Sequence, residues 1–383
     1  MRYYIIAGEA SGDLHGSNLI KAIHKTDATA SFRCWGGDMM QAAGGDLVKH
    51  YRELAFMGFA EVLMNLRTIF RNLAFCKSDI SESKPDVLIL IDYPGFNLRI
   101  AEWAKKEGFK VIYYISPQVW AWKENRVKKM KTCIDLMLVI LPFEKDYYKN
   151  KWQWEVSYVG HPLVEVVDEF ESEVGSRESG VGSQESESPE DRKKESKIIA
   201  LLPGSRKQEI LKKLPVMLEV SKDFPEYQFM VAKAPGLDDS FYEPLLAPYP
   251  NVSSVNQKTY YLLSKARAAL VTSGTATLET ALFGVPEVVC YKGNPISYQI
   301  AKRIISIKYI SLVNLIMDKL VVTELIQDDM NVKNIRRELS LLLTDSKKQE
   351  QLKKDYTQLR MLLSEGGHAS DNAAKKIREY LHP

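Results

Sequence analysis

The sequence predicts an α/β protein built from two doubly wound domains with a cleft between them. Three observations carry this prediction. The 383 residues suffice for two domains of about 150 residues each. In both halves, short apolar runs alternate with stretches of helical periodicity, as expected for parallel sheets covered by helices on both faces. A polar segment near the middle of the chain separates the two halves.

The candidate strands are short runs of aliphatic, β-branched or aromatic residues. They are Tyr3–Ala7, Phe32–Trp35, Val87–Ile91, Val111–Ile115, Leu136–Leu141 and Val156–Val159, then Ile198–Leu202, Gln228–Val231, Ala268–Val271 and Glu287–Tyr291. Helical periodicity occurs between strands, as at Thr275–Phe283 and Gln299–Ile307, and over Val332–Leu343, Lys347–Leu363 and Ala369–Leu381 at the end of the chain. Ligands of such sheets bind beyond the carboxyl ends of the strands, so the loops that follow strands are the candidate sites.

The polar segment is Glu171–Lys197, in which only Val174 and Val181 are apolar. Such a stretch cannot bury enough surface to offset the entropy lost on ordering, which indicates a flexible linker or loop. A charged surface helix is the alternative. The expected domains are therefore 1–170 and 198–365, joined by the Ser/Glu-rich linker 171–197. A C-terminal helix at 366–383 can pack back on the first domain.

Composition excludes several classes of protein. The net charge of +3 is too small for a protein that binds nucleic acid through bulk charge. No stretch approaches the roughly 18 uninterrupted apolar residues of a membrane span. The four cysteines lie far apart, and the six histidines form no H-x-x-x-H pair. We therefore expect reduced thiols in a cytoplasmic protein and no metal site.

Two motifs in the first half follow predicted strands. The first runs from Gly8 to Asp13 (GEASGD), where glycines allow the backbone close to a ligand and the next helix offers free N–H groups. Glu9 is placed to face the cleft, whereas Asp13 could simply cap the helix. In the second motif, Asp92 ends an apolar strand, and partial desolvation there would raise its pKa and suit it to act as a base. A turn-forming aspartate before Tyr93-Pro94-Gly95 is the alternative.

Two turns in the second half have the composition of phosphate sites. Gly204 and Ser205 begin a helix with free N–H donors, and Arg206 can hold a diphosphate through two bonds. A surface ion pair between Arg206 and Glu209 is the alternative. The second turn, Ser273-Gly274-Thr275, repeats this architecture. Glu279 lies one helical turn beyond Thr275, where its carboxylate could accept both hydroxyls of a ribose. An ordinary helix cap is the alternative, but two such turns favour a nucleotide site.

Two further segments could contact an anionic or lipid surface. On a helix over Met57–Lys77, one apolar stripe contains Phe59, Val62, Leu63, Leu66, Phe70 and Leu73. Such a stripe either packs on a sheet or rests on lipid. Trp120–Lys131 carries five basic residues and one acidic residue beside two indoles. It is either a solvated helix face or a contact for an anionic surface or phosphorylated substrate.

Nine motifs resemble the lipid-A-disaccharide synthase family, in that family's order, from residue 1 to about 330. They are GEASGD at 8–13, AFMGFAEVL at 55–63, KPDVLILIDYPGFN at 84–97, ISPQVWAWKENRV at 115–127, LPFEKDYY at 141–148, VGHP at 159–162, LLPGSRKQE at 201–209, SGTATLE at 273–279 and YISLVNLI at 309–316. The resemblance implies the GT-B fold of two Rossmann-like domains and an inverting, metal-independent hexosyltransferase that needs no cofactor. Its substrates would be UDP-2,3-diacylglucosamine and 2,3-diacylglucosamine 1-phosphate (lipid X), joined through a β-1,6 bond with release of UDP.

The resemblance also implies roles for individual residues. Asp92 would be the base for the acceptor hydroxyl, with Glu9 and Arg206 as the other catalytic groups. The donor would be bound by Gly204, Ser205, Arg206, Ser273, Gly274, Thr275, Glu279 and Asn314, and the acceptor would lie near Ser11, Gly12 and Asp13. Met57, Phe59, Val62, Leu63, Leu66 and Phe70 would face the cytoplasmic surface of the inner membrane, where lipopolysaccharide precursors of Gram-negative bacteria are assembled. The sequence does not fix the oligomeric state, and a homodimer is one of the alternatives.

Three features depart from the family pattern. Gly95 stands where a second aspartate is frequent, Val313 replaces a frequent proline before Asn314, and the linker is longer than expected. Two other functions stay open on the residues alone. One is an isomerase similar to UDP-N-acetylglucosamine 2-epimerase, which would have no lipid-facing stripe. The other is a UDP-sugar-binding protein without turnover.

Overall fold

A computed structural model describes residues 1–54, 66–179, 193, 195–294, 298, 308–364 and 366–382. Its strands are β1 Arg2–Ala7, β2 Ser31–Gly36, β3 Gly45–His50, β4 Val87–Ile91, β5 Val111–Tyr114, β6 Leu136–Val139, β7 Ser157–Tyr158, β8 Ile198–Leu202, β9 Gln228–Lys233, β10 Val252–Asn256, β11 Ala268–Val271, β12 Glu287–Tyr291 and β13 Thr323–Ile326. Its α-helices are α1 Ala10–Thr26, α2 Asp38–Ala42, α3 Leu66–Ser83, α4 Pro94–Lys106, α5 Arg126–Cys133, α6 Pro142–Trp152, α7 Pro162–Ser179, α8 Lys207–Val220, α9 Asp239–Leu246, α10 Thr259–Lys265, α11 Thr275–Leu282, α12 Leu312–Met317, α13 Val332–Thr344, α14 Ser346–Leu363 and α15 Ala369–Leu381.

The chain divides into two compact units. The first comprises Met1–Pro162 together with Leu363–Pro383, and the second comprises Leu163–Leu362. The first unit contains seven parallel strands in the order β3-β2-β1-β4-β5-β6-β7, and the second contains six parallel strands in the order β10-β9-β8-β11-β12-β13. Helices alternate with the strands in both units. The predicted α/β fold of two doubly wound units is confirmed.

Each sheet of this kind is buried on both faces, and β1 shows how the sequence achieves this. Side chains alternate along the strand, so Tyr4 and Ile6 enter one core while Tyr3 and Ile5 enter the other. Because a fully buried side chain of this size contributes about 1.5–3 kcal/mol, an uninterrupted apolar run is stable only where helices cover both faces. The last helix, α15, covers part of one face with Ala373, Ala374, Ile377 and Leu381.

Three strands were not predicted, and all lie at or toward the edges of the sheets. β3 and β10 are edge strands with mostly half-buried residues, and β13 is the edge strand at the other side of the second sheet. Solvent on one side allows polar residues there, so these segments lack a continuous apolar run. The helix predicted at Gln299–Ile307 lies outside the described residues.

The segment expected to be a linker begins as a helix. α7 continues to Ser179, so residues 171–179 are helical, in line with the alternative of a charged helix for this part. Residues 180–192 lie outside the described residues. The first turns of α7 are held by the buried Leu163, Val164 and Val167. Asp168 and Glu171, further along the helix, pair with Arg360 of α14. None of the described helices is long and apolar enough to span a membrane.

Candidate active site

The first group of candidate residues lies at one edge of the first sheet. β1 and β4 are neighbours in register, with Ala7 opposite Ile91. The residues that follow, Gly8 and Asp92, therefore leave the sheet side by side. On the other side of β4, the backbone N–H of Asp92 donates to the carbonyl of Tyr114 at 3.1 Å. Three strand ends thus meet at Asp92.

The backbone at Asp92 is held in an unusual conformation. Asp92 and Tyr93 have φ values of +43° and +47°, a left-handed region that residues with a Cβ rarely adopt. The Asp92 carbonyl accepts hydrogen bonds from Asn97 Nδ2 at 2.9 Å and from the Tyr113 hydroxyl at 2.5 Å. Two consecutive strained residues persist only where the surroundings hold them, and such strain is concentrated at functional sites. Asn97, which the sequence analysis did not single out, positions the Asp92 backbone.

The environment of the Asp92 side chain changes its acidity. Burial raises the pKa of Asp92 to about 6, the negative charge of Glu9 adds to the rise, and a hydrogen bond from the Tyr93 backbone opposes it. At neutral pH the carboxylate is mostly ionised, yet it is far more basic than an ordinary aspartate. A group with this pKa is suited to take a proton from a hydroxyl near neutral pH.

Glycines allow the close packing around this edge. A Cβ at Gly8 would lie 2.3 Å from the Tyr93 ring, and one at Gly12 would lie 3.0 Å from the Cβ of Ala7. Gly8 therefore admits the Tyr93 ring, and Gly12 lets α1 pack directly on β1. Glu9 and Ser11 are exposed at the start of α1.

Asp13 has a structural task, and its expected place near the acceptor stays a prediction. Its side chain is only 3% exposed. One carboxylate oxygen accepts backbone hydrogen bonds from Gly37 at 2.7 Å and Met40 at 3.0 Å, and the other accepts one from Met39 at 3.1 Å. Asp13 thus satisfies free N–H groups at the start of α2 rather than capping its own helix α1.

The two glycine turns of the second unit also lie side by side. β8 and β11 are neighbours in register, with Leu202 opposite Val271. Gly204 follows β8 with φ +120°, and Gly274 follows β11 with φ +129°. Both values belong to the region that favours glycine. Each turn leads into a helix, α8 and α11 respectively, so the N–H groups of two helix starts point out from the same edge of the sheet.

Arg206 stands at the start of α8 with its side chain 76% exposed. The ion pair with Glu209 that the sequence left as an alternative is present, at 3.8 Å. At that distance and exposure it is a weak contact, which leaves the guanidinium available to another anion. Ser205 beside it is exposed as well.

Lys213 is a candidate that the sequence analysis missed. Its side chain is buried, with 2% exposed, and its ammonium group donates a hydrogen bond to Thr272 Oγ1. Its Nζ lies 3.6 Å from Glu209, and a Cβ added to Gly204 would lie 3.3 Å from the same atom. Lys213 therefore links the two glycine turns from beneath. Burial lowers its pKa, and Glu209 acts in the opposite direction.

Helical spacing could have indicated this lysine. Lys213 falls two turns after Arg206 on α8, and Glu209 lies on the same face between them. The three side chains carry two positive charges and one negative charge, so an anion at the turns would balance the excess.

Glu279 lies one turn into α11, where the spacing predicted it. Its carboxylate accepts a hydrogen bond from the Tyr260 hydroxyl at 3.2 Å. Burial raises the pKa of Glu279, and the bond from Tyr260 opposes the rise. Ser273 is half-buried, while Gly274 and Thr275 are exposed at the start of the helix. Among the described residues, no atom beyond its chain neighbours lies within 4 Å of a Cβ added to Gly274, so these residues leave room for a ligand at this turn.

The Asn314 side chain is engaged within its own loop, and its expected contact with the donor stays a prediction. It is fully buried. Its amide nitrogen donates to the Val322 carbonyl and to Glu324, each at 2.9 Å, and its oxygen accepts from the N–H groups of Val321 at 2.8 Å and Val322 at 2.9 Å. A side-chain amide can make four hydrogen bonds, and all four are used within this loop. Asn314 therefore stabilises the connection between α12 and β13.

The predicted membrane-facing residues are only partly described. Met57, Phe59, Val62 and Leu63 lie outside the described residues, and so does the side chain of Leu66. Phe70 on α3 is 62% exposed, whereas Leu73, one turn further, is buried in the core. The stripe thus divides at this helix, because α3 turns Leu73, Cys76 and Ile80 toward the sheet and leaves Phe70 outside.

All four cysteines, Cys34, Cys76, Cys133 and Cys290, are buried free thiols. In the part of the chain that the structure describes, no group of three His, Cys, Asp or Glu side chains could hold a metal ion.

Comparison with solved structures identifies the fold. A calicheamicin glycosyltransferase matches with a TM-score of 0.60 and 17% identity, covering 99% of this chain and 98% of its own. The UDP-GlcNAc 2-epimerase from Neisseria meningitidis, solved with UDP-GlcNAc bound, matches with a TM-score of 0.63 and 15% identity, covering 100% of this chain and 99% of its own. At such identities the likeness shows the fold, which is the GT-B fold of two Rossmann-like units.

Sequence comparison identifies the family. The family model described as "Lipid-A-disaccharide synthetase" matches residues 3–378. The lipid-A-disaccharide synthase of Geobacter metallireducens is 40% identical over 385 aligned residues, which cover 99% of this chain and 97% of that protein. The chain belongs to the lipid-A-disaccharide synthase family and is a glycosyltransferase of lipid A biosynthesis.

Proposed function

We propose that this glycosyltransferase joins UDP-2,3-diacylglucosamine to 2,3-diacylglucosamine 1-phosphate through a β-1,6 bond, with inversion at the donor C1 and release of UDP. Asp92 supports this proposal most strongly. Its carboxylate is held at a strand end by a strained backbone, and its raised pKa of about 6 suits a base that works near neutral pH.

In the proposed reaction, Asp92 accepts the proton of the acceptor 6-hydroxyl. The hydroxyl oxygen then forms a bond to the donor C1, and the bond between C1 and the UDP oxygen breaks on the opposite face. The electron pair of that bond leaves with UDP, so the diphosphate gains negative charge in the transition state. Glu9, next to Asp92, raises the basicity of the base through its own charge.

The second unit supplies the groups that suit the donor. Arg206 and the N–H groups of the turns at Gly204–Ser205 and Ser273–Thr275 would bind the diphosphate. Positive groups that are fixed before the reaction are most effective where negative charge develops. Lys213 would hold both turns in place from beneath, and Glu279 would accept the ribose hydroxyls.

The direct test is the product. Mass spectrometry should show a disaccharide 1-phosphate, formed with one UDP per turnover, when the protein is given both diacylated sugars. We expect Asp92→Asn to lower kcat by about 10²–10⁴-fold, the usual contribution of a general base, while the Kd of UDP stays within twofold. Asp86→Asn, at the exposed opposite end of β4, is the matched control and should keep its activity.

Three outcomes would contradict the proposal. A near-normal rate in Asp92→Asn would remove the base. Conversion of UDP-N-acetylglucosamine alone to its 2-epimer, without transfer to the lipid acceptor, would favour the isomerase alternative. Binding of UDP with no turnover of either substrate would favour a nucleotide-sugar-binding protein.

We further propose that the protein works at the cytoplasmic surface of the inner membrane, where its acylated substrates reside. The exposed Phe70 and the exposed Arg67 and Arg71 on α3 support this, because an apolar group flanked by cations is typical of contact with anionic lipid. Phe70→Ser should weaken cosedimentation with anionic phospholipid vesicles at an unchanged melting temperature. Met361→Ser, at an exposed methionine of α14, is the control. Earlier melting of Phe70→Ser with unchanged vesicle binding would contradict the proposal.

A further inference from the structure

The loop between β5 and α5 begins beside the candidate base. β5 pairs with β4, with Tyr114 opposite Ile91. The loop that follows Tyr114 therefore leaves the same edge of the sheet as Asp92, one strand away. The loop comprises residues 115–125, and it belongs entirely to the first unit.

The inner side of this loop is firmly anchored. The indole N–H of Trp120 donates to Glu144 at 3.2 Å, and the Trp120 ring stands edge-on to Phe143 at 5.0 Å. The Ser116 hydroxyl lies 2.7 Å from the hydroxyl of the buried Tyr148. These contacts fix the loop on the body of the unit, so the residues on its outer side are presented in a preorganised arrangement.

The outer side carries an aromatic ring with two cations, which we call the Trp122 cluster: Trp122, Lys123 and Arg126. The Trp122 side chain is 50% exposed. The Lys123 ammonium lies 4.2 Å and the Arg126 guanidinium carbon 6.0 Å from the centre of its ring. Lys123 has φ +56°, a strained conformation for a residue with a Cβ.

The acidic residue within the loop does not neutralise these cations. Glu124 points to the other side, where it pairs with Lys151 at 2.6 Å and accepts a hydrogen bond from the Tyr147 hydroxyl at 2.7 Å. Among the described residues, neither Lys123 nor Arg126 has a carboxylate partner within 4.0 Å. The cluster therefore combines a half-exposed indole with two positive charges that no carboxylate of the described residues neutralises.

This combination fits a phosphorylated sugar. The ring can stack on the apolar C–H face of a sugar, and the planar guanidinium can bind two phosphate oxygens at once. A phosphate monoester carries up to two negative charges, which match the two cations. We propose that the Trp122 cluster binds the phosphate of the acceptor sugar and so selects phosphorylated acceptors. This inference rests on the proposed function, because it assigns a binding site to the end of the acceptor that does not react.

The experiment compares two acceptors in non-ionic detergent micelles: 2,3-diacylglucosamine 1-phosphate and the same sugar with a free 1-hydroxyl. We expect the wild-type protein to prefer the phosphorylated acceptor. The double variant Lys123→Ala/Arg126→Ala should reduce that preference by about tenfold or more, through a raised KM for the phosphorylated acceptor, because the charge-assisted hydrogen bonds to its phosphate are lost. The KM of the hydroxyl acceptor and of the UDP-sugar should stay unchanged.

A matched control removes the same charge elsewhere. Lys21→Ala/Lys145→Ala changes two exposed lysines of the first unit and should keep the preference. Circular dichroism melting checks that both double variants are folded. An unchanged preference in Lys123→Ala/Arg126→Ala would overturn the inference. So would a variant that loses only its binding to anionic vesicles, since the phosphate recognised would then belong to lipid headgroups.

Equilibrium binding of the phosphorylated acceptor, measured without UDP-sugar, keeps the two proposals separate. If the wild-type protein transfers to neither acceptor, the proposed function fails, but the binding ratio of wild type to Lys123→Ala/Arg126→Ala still decides the role of the cluster. Equal affinities would refute that role, and a tenfold or larger difference would support it.

Discussion

The pH dependence of the reaction offers a sharp test of the role of Asp92. With a pKa of about 6, about nine-tenths of the carboxylate is ionised at pH 7 and only about one-tenth at pH 5. Only the ionised form can accept a proton, so kcat/KM for the acceptor should fall about tenfold between these pH values. The rate is lost as pH decreases, because a raised pKa keeps the base protonated over a wider acidic range.

An unperturbed aspartate predicts a different result. With a pKa near 3.9, about nine-tenths of the groups are still ionised at pH 5, so the rate would hardly change. The assay is the initial rate of UDP release with saturating donor between pH 4.5 and 8, over which the protein is first shown to stay folded.

A change at Glu9 tests this account, because the charge of Glu9 acts on the pKa of Asp92. Because that charge raises the pKa of Asp92, Glu9→Gln should move the acidic limb of the pH profile of kcat/KM to lower pH. This shift is expected whether or not the maximum rate of the variant also changes. Glu107→Gln, at an exposed position after α4, removes the same charge and should leave the limb in place. A limb near pH 4 in the wild-type protein, or equal profiles for both variants, would refute this account of Asp92.

Three further predictions concern the second unit. Arg206→Ala should weaken UDP binding by about tenfold or more, the worth of a charge-assisted hydrogen bond, without changing the acceptor KM; an unchanged Kd in calorimetry would contradict the phosphate assignment. Lys213→Met should also raise the Kd of UDP, because the link between the two turns is lost. Lys212→Met, at the exposed neighbouring position, should leave the Kd unchanged. Equal UDP affinities of the two variants would leave Lys213 with a packing role. Glu287 is buried without a hydrogen-bond partner for either carboxyl oxygen in the described structure, and burial raises its pKa well above the usual value. The folded protein therefore holds a proton there that the unfolded chain releases above about pH 4.5, and stability falls by about 1.4 kcal/mol per pH unit until the folded-state pKa is reached. Glu287→Gln should reduce this loss between pH 5 and 8 in urea unfolding, and an unchanged slope would contradict the buried acid.

The central strands could be predicted from sequence because a strand that is buried on both faces has an uninterrupted apolar sequence. Val87–Ile91 and Ile198–Leu202 are uninterrupted apolar runs, and the structure gives both strands the predicted bounds. The edge strands β3, β10 and β13 lack such an apolar run, since solvent on one side permits polar residues. The candidate positions Asp92, Arg206 and Glu279 were predicted for a similar reason: each follows a recognisable strand, and in a parallel sheet that position is at the ligand-binding edge.

The sequence by itself determined the order of the central strands, the family and the residues at the ends of those strands. The partners of each polar side chain were decided only by the tertiary structure. Asp13 and Asn314 have the residue types of ligand-binding groups, yet their side-chain oxygens accept hydrogen bonds from backbone N–H groups, distant in sequence for Asp13 and across a loop for Asn314. In the sequence, Lys213 is one of several lysines of α8. Only the tertiary structure brings Thr272, 59 residues away, to its ammonium group. Hydrophobic periodicity is a local property of the chain, whereas burial and hydrogen-bond satisfaction depend on which segments the fold brings together.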